Sequence, residues 1–140
     1  MLEAKTAFVD RIFFSARYSE TDQMGVVNHA RYFDWFSEGR VAWLKARGHS
    51  YKQWENEGWF LPVLDAQCTY RKGVRFQDEL ELRTILSEFN PRKVVFNYKL
   101  TSKGKSDILA EAETVHYFIR NGKPKKLDPK LYTVFHAGRR

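Results

Sequence analysis

Apolar and polar positions change period several times along the chain. Over residues 8–19 they alternate, with Ile12, Phe14, Ala16 and Tyr18 on one face and Arg11, Ser15 and Arg17 on the other beside Phe13. That is the period of a strand. Residues 20–29 break the alternation and read as a loop carrying one glycine, Gly25. From residue 30 to residue 47, Phe33, Phe36, Val41 and Leu44 recur at three- to five-residue spacings, and Trp35, Ala42 and Trp43 widen the apolar face. This predicts a helix of roughly five turns, apolar over most of its circumference. Asn28 suits its N-cap and Gly48 its end. Gly39 in mid-helix costs about 1 kcal/mol against Ala, which points to close packing there.

A short helix is predicted over residues 50–57. Four strands follow, at residues 62–71, 78–89, 92–102 and 108–120. Leu80, Leu82, Thr84 and Leu86 share one face of the second of these, and Val94, Phe96, Tyr98 and Leu100 share one face of the third. Gly104 and the pair Asn121-Gly122 are turn signals. Asp128-Pro129 suits the start of a last short helix. Consecutive strands with short turns argue for an antiparallel sheet, and the long helix must bury itself against it. The class is α+β.

At 140 residues the chain fits a single domain spanning residues 1–140, long enough for a real core. Cys68 is the one cysteine, so no internal disulfide forms and a cytoplasmic location is expected. Its place in a strand pattern favours a structural thiol over a reactive one. No apolar run approaches the ~18 residues of a membrane span, and the first residues lack the pattern of a secretory signal. His29, His49, His116 and His136 are scattered, so no metal motif is present; a phosphate-binding glycine loop and a serine nucleophile elbow are also missing.

The formal net charge is +7, but residues 120–140 carry +6 of it and residues 1–119 only +1. The aromatics follow core periods and do not interleave with the basic residues, and no nucleic-acid motif occurs, so no nucleic-acid partner is expected. The basic stretch is either a solvated tail or a site for an anionic ligand.

Asp22 is the leading candidate for chemistry. It lies just before the long helix, whose N-terminus offers free N–H groups and partial positive charge. A carboxylate there can hold a water or attack an electrophile while the amides take up developing negative charge. The plainer reading is that an Asp in this position caps or turns the chain.

The run from Asp22 to Phe33, with Gly25, Val26, Val27, His29, Ala30 and Tyr32, follows Arg17-Tyr18-Ser19-Glu20-Thr21. It resembles the signature of hotdog-fold acyl-CoA thioesterases, nearest to the 4-hydroxybenzoyl-CoA thioesterase family and its YbgC-like branch. The element order agrees over nearly the whole chain. The resemblance implies a hotdog fold: an antiparallel sheet of about five strands wrapped around one long helix. It implies Asp22 as nucleophile or general base, the His29 backbone N–H as polariser of the thioester carbonyl, and Gly25 as the residue that lets the loop approach the ligand. Asn28 replaces an aromatic residue common in relatives.

The resemblance also gives the basic residues a partner. Coenzyme A carries a pyrophosphate and a 3′-phosphate. Arg92 and Lys93, with Lys125 and Lys126, match by region the places where relatives hold them. The acyl-CoA is substrate, so no cofactor is expected, and a homodimer or homotetramer is implied, with Asp22 of one subunit facing Arg92 of another. Two other readings remain open: a thioesterase acting on acyl carrier protein, which is acidic, and a non-catalytic acyl-CoA-binding protein. Trp59 and Phe60 suit either an acyl pocket or the core.

Overall fold

The computed structural model describes residues 8–136. Arg139 and Arg140 of the basic stretch, and the first residues of the chain, lie outside them. In chain order the elements are β1 (Val9–Ser15), α1 (Tyr32–Ala46), α2 (Tyr51–Asn56), β2 (Trp59–Phe60), β3 (Val63–Tyr70), β4 (Glu79–Asn90), β5 (Lys93–Ser102), β6 (Ile108–Tyr117), β7 (Ile119–Arg120), β8 (Lys123–Pro124) and α3 (Tyr132–His136). Strands β1-β4-β5-β6-β3 form one sheet in that order, antiparallel throughout.

The alternation read from the sequence sets which face is inside. Leu80, Leu82, Thr84, Val94, Phe96, Tyr98 and Leu100 are all buried. From the helix side Phe36 stacks on Tyr98 with centroids 4.6 Å apart, and Trp43 meets Phe96 edge-on at 5.2 Å. Gly39 lies where α1 comes closest to β4: a Cβ there would overlap Thr84 Oγ1 and stand 3.0 Å from Leu82 Cδ2. The close packing expected of this glycine is present.

The helix differs from expectation in one respect. It begins as a 3-10 turn at His29–Arg31 and continues as α1, but the sheet covers only one side of it. Asp34, Ser37, Glu38, Val41 and Lys45 are exposed. A single twisted sheet can cover one stripe of a helix, and the polar residues take the remaining stripe.

Strand β1 ends at Ser15, short of residue 19, because the chain turns at Tyr18–Glu20. The segment expected as one strand over residues 108–120 is interrupted, and its end pairs in a second sheet of order β2-β7-β8. The Asn121-Gly122 turn, with φ of 53° and 81°, closes the β7–β8 hairpin as its sequence predicts. The three strands of this small sheet are two residues long, too short to show a period.

One buried polar chain ties the helix to the sheet. Arg40 Nη1 donates to Tyr98 Oη (2.9 Å), which lies 2.6 Å from Thr114 Oγ1; Thr114 Oγ1 is 2.8 Å from His116 Nε2, and His116 Nδ1 is 3.1 Å from the Leu61 carbonyl. The carbonyl can only accept, so Nδ1 carries the proton and Nε2 accepts from Thr114. Every donor then points the same way along the chain. His116 is fully buried, and burial, aided by the Arg40 charge, lowers its pKa to about 4.

Strand β3 is an uncovered edge. Of its eight residues only Cys68 is even partly buried, and Val63, Leu64 and Tyr70 are exposed apolar or aromatic side chains.

Candidate active site

Asp22 is held by a turn that it makes for itself. Its N–H donates to the Val26 carbonyl (2.8 Å) and its carbonyl accepts from the Gly25 N–H (3.1 Å). Its Oδ1 accepts from the N–H of Met24 (2.8 Å) and of Val26 (3.3 Å). The plain reading of Asp22 as a turn residue is therefore correct, but it uses one oxygen only. Oδ2 takes no hydrogen bond from the described residues. Gly25 does not line the cavity below; the turn needs it for a φ of 79°, which side-chain-bearing residues adopt at a cost.

The loop is then stitched to the approach to β4. Val27 N–H donates to the Val74 carbonyl (2.7 Å), and Val26 bridges Arg75. Asn28 caps the helix as expected, its Oδ1 accepting from the Ala30 N–H at 2.9 Å. Its own N–H donates to the Glu20 carbonyl (2.9 Å), and the Glu20 carboxylate is fixed by the Arg17 N–H (2.8 Å) and Trp35 Nε1 (2.9 Å). The His29 N–H, first in the helical turn, has no intrahelical acceptor and donates to no other group among the described residues.

These parts surround one cavity of about 300 Å³. Asp22, Val26, Val27, Asn28, His29 and Tyr32 line it from the loop and helix; Tyr70, Arg71, Lys72 and Gly73 line it from the end of β3. Asp22, with one carboxylate oxygen unengaged, and His29, with its N–H unpaired, thus line one space together with apolar, aromatic and basic residues. That set can deliver or activate a nucleophile and stabilise an oxyanion.

Sequence reasoning missed Tyr70 and the 71–73 segment, and it named Tyr32 only as part of the motif. The strand period of Tyr70 was visible, but nothing local says that β3 ends beside the helix head.

The expected phosphate-binding residues gather elsewhere. Asn90 Oδ1 accepts from the N–H of Arg92 (2.8 Å) and Lys93 (3.0 Å), forming the β4–β5 turn. The Phe118 N–H donates to the Arg92 carbonyl (3.1 Å), Lys125 N–H to the Phe118 carbonyl (3.2 Å), and Leu127 N–H to the Pro91 carbonyl (2.8 Å). The two basic segments, some thirty residues apart in the chain, become one surface. Lys93 is partly engaged there, its Nζ lying 3.1 Å from Glu88 Oε2.

This surface is at the far end of the sheet from Asp22. On β6, Ala110 pairs with Tyr70 and Tyr117 with Lys93. Seven residue steps at ~3.3 Å each separate the two by about 23 Å. Trp59 and Phe60 do not line the Asp22 cavity; Trp59 is core, with Arg120 over its ring at 5.3 Å. Burial raises the Cys68 pKa, which suits an unreactive thiol.

The fold and the relatives of the chain define a hotdog thioester hydrolase. The chain belongs to the thioesterase-like superfamily, whose sequence pattern matches residues 16–135. It is 30% identical over 128 residues to a Bacillus subtilis (strain 168) protein named "Putative acyl-CoA thioesterase YneP", covering 89% of this chain and 93% of that protein. Among solved structures it superposes on the hypothetical protein TT1821 from Thermus thermophilus with a TM-score of 0.83 at 35% identity, covering 90% of this chain and 95% of the other. It superposes on the DHNA-CoA thioesterase from Staphylococcus aureus with a TM-score of 0.85 at 26% identity, covering 91% and 88%. The resemblance to hotdog thioesterases is thus borne out for fold and for reaction class. No helix among the described residues is long and apolar enough to cross a membrane.

Proposed function

We propose that the chain hydrolyses acyl-CoA thioesters at the Asp22 cavity. Asp22 Oδ2 takes a proton from a water whose oxygen attacks the thioester carbonyl, or attacks that carbon itself to form a mixed anhydride that water then opens. In both routes the carbon–sulfur bond breaks, and the CoA thiolate leaves and is protonated. The His29 N–H and the helix head receive the charge that builds on the carbonyl oxygen. The observation that carries this reading is that Asp22 and the head of α1 line the same cavity. The name of the Bacillus relative and the CoA substrate in the name of the Staphylococcus structure support it.

Arg92, Lys125 and Lys126, with Lys93, would grip the phosphates of CoA. Their separation from Tyr70 along β6 supports the reading that they serve the cavity of a second copy. The bare β3 edge offers the means: two copies pairing antiparallel along β3 bring the Tyr70 end of one beside the Val63 end of the other. That sets one copy's basic surface next to its partner's Asp22. A reducing cytoplasm suits the free Cys68 thiol.

The test is turnover of short-chain, long-chain and aromatic CoA thioesters by wild type and Asp22→Asn. The expected result is loss of turnover in the variant with fold and CoA binding kept. Near-wild-type turnover by the variant overturns the role of Asp22. The same acyl groups on acyl carrier protein separate the carriers, and faster turnover from the protein carrier would replace CoA as substrate.

A further inference from the structure

We propose that Tyr70 is a positioning residue: with Asn28 it clamps the His29–Ala30 peptide and thereby aims the His29 N–H into the cavity. The inference deepens the reading above and rests on it.

The peptide unit between His29 and Ala30 is gripped at both ends by side chains from different parts of the chain. Its N–H donates to Asn28 Oδ1 at 2.9 Å, and its carbonyl accepts from the Tyr70 hydroxyl at 2.9 Å. A peptide is planar, so two fixed ends leave its plane no rotation that keeps both bonds. The N–H proposed to meet the substrate belongs to the preceding peptide. Only the dihedral angles of His29 separate it from the clamped plane.

The bond is not needed to satisfy the carbonyl. The His29 oxygen already accepts from the Tyr32 N–H within the helical turn. The hydroxyl is not needed for packing either, because the Tyr70 ring alone makes edge contacts with Tyr32 (4.8 Å, 88°) and His29 (6.0 Å, 82°). Tyr70 is 40% exposed on an otherwise bare edge strand, so it is no core residue whose hydroxyl merely had to find a partner. Besides a contact with the Cys68 thiol on its own strand, the hydroxyl adds a tie between the end of β3 and the helix head. Misdirecting a donor lowers only the interaction made in the transition state, so kcat falls and KM does not.

The experiment is steady-state kinetics of Tyr70→Phe, Asn28→Ala and the double variant on a CoA thioester that the wild type turns over, with Asp22→Asn alongside and Tm measured for each. Tyr70→Phe keeps the ring contacts and removes one donor. Its kcat should fall about tenfold, less than the hundredfold or more of losing an oxyanion donor outright, with KM within about twofold. Its Tm should stay near that of wild type. Asn28→Ala should lower kcat as well, and the double variant should lose less than the product of the single losses, because both act on one peptide. Wild-type kcat in Tyr70→Phe overturns the clamp. So does a loss that appears in Tm or KM and not in kcat, or fully multiplicative losses in the double variant. Full turnover by Asp22→Asn overturns the catalytic reading and the clamp with it; an inactive Asp22→Asn beside an unimpaired Tyr70→Phe overturns the clamp alone.

Discussion

The two ends of the sheet are built by different means. At the Tyr70 end, one continuous stretch from Glu20 to Tyr32 turns, caps and starts a helix, and each step is fixed by short hydrogen bonds. At the Lys93 end, two turns remote in sequence are joined through backbone bonds at Arg92, Phe118, Lys125 and Leu127, while Arg92, Lys125 and Lys126 reach into solvent. Geometry is strict at the end proposed for the chemistry and loose at the end proposed for the phosphates. Phosphates need nearby cations, and long exposed side chains supply them without a fixed position.

The sharpest way to break this contrast is to alter the strict end. Asp22→Asn keeps Oδ1 as an acceptor for Met24 and Val26 and removes the carboxylate. Turnover should fall by about a thousandfold with little change in Tm, the size expected when a general base or nucleophile is lost. A loss of only a few fold would put the chemistry elsewhere.

Acid should fail both ends together, because the core that separates them holds a neutral His116. Its pKa in the fold is about 4, below the ordinary 6.5, so the unfolded chain binds the extra proton first. Stability is therefore whole above about pH 6.5 and is lost as pH falls toward 4, by up to about 3 kcal/mol. Urea midpoints at neutral pH and near pH 4.5 check this. In His116→Asn the part of the slope between those values should flatten; an unchanged slope would assign it to other groups.

Mixing chains tests whether the ends belong to one site. A preparation of Asp22→Asn chains mixed and refolded with Arg92→Ala/Lys125→Ala/Lys126→Ala chains should be more active at low substrate than either parent. Mixed dimers would hold one intact site. No gain after verified mixing would return both ends to a single chain or leave the basic surface unused.

The smallest effect belongs to the loose end. Lys125→Ala/Lys126→Ala should raise KM for CoA thioesters by about tenfold and leave kcat nearly unchanged, with the difference shrinking as salt rises. An unchanged KM would make the stretch a solvated tail.

What the sequence revealed follows the same division. The helix, its Asn28 cap and the strand faces were legible because each depends on neighbours within a few positions; Gly39 was marked out by a glycine standing in mid-helix, although the Leu82 and Thr84 it meets are more than forty positions away. Asp22 and His29, which line the cavity, were legible as candidates because they lie in one run. Tyr70 was not, since its partner His29 is 41 positions away and meets it only once β3 has taken the sheet edge beside β6. The meeting of Arg92 with Lys125 was suggested by region, but their separation from Asp22 depends on strand register, which no local pattern carries. The small β2-β7-β8 sheet escaped because two-residue strands have no period to read.

A carboxylate tied through one oxygen swaps its oxygens only by breaking those hydrogen bonds. With Asp22 Oδ1 held by two backbone N–H groups, the same oxygen would face the substrate in every cycle. Suppose Asp22 is the nucleophile and water opens the mixed anhydride at the aspartyl carbon. In heavy-oxygen water the first acid released then carries the enzyme's own light oxygen, and the solvent's oxygen takes its place on Asp22. From the second cycle onward each product carries the oxygen left by the cycle before it. The turn at Met24 and Val26 would thus give the enzyme an isotopic memory one turnover deep.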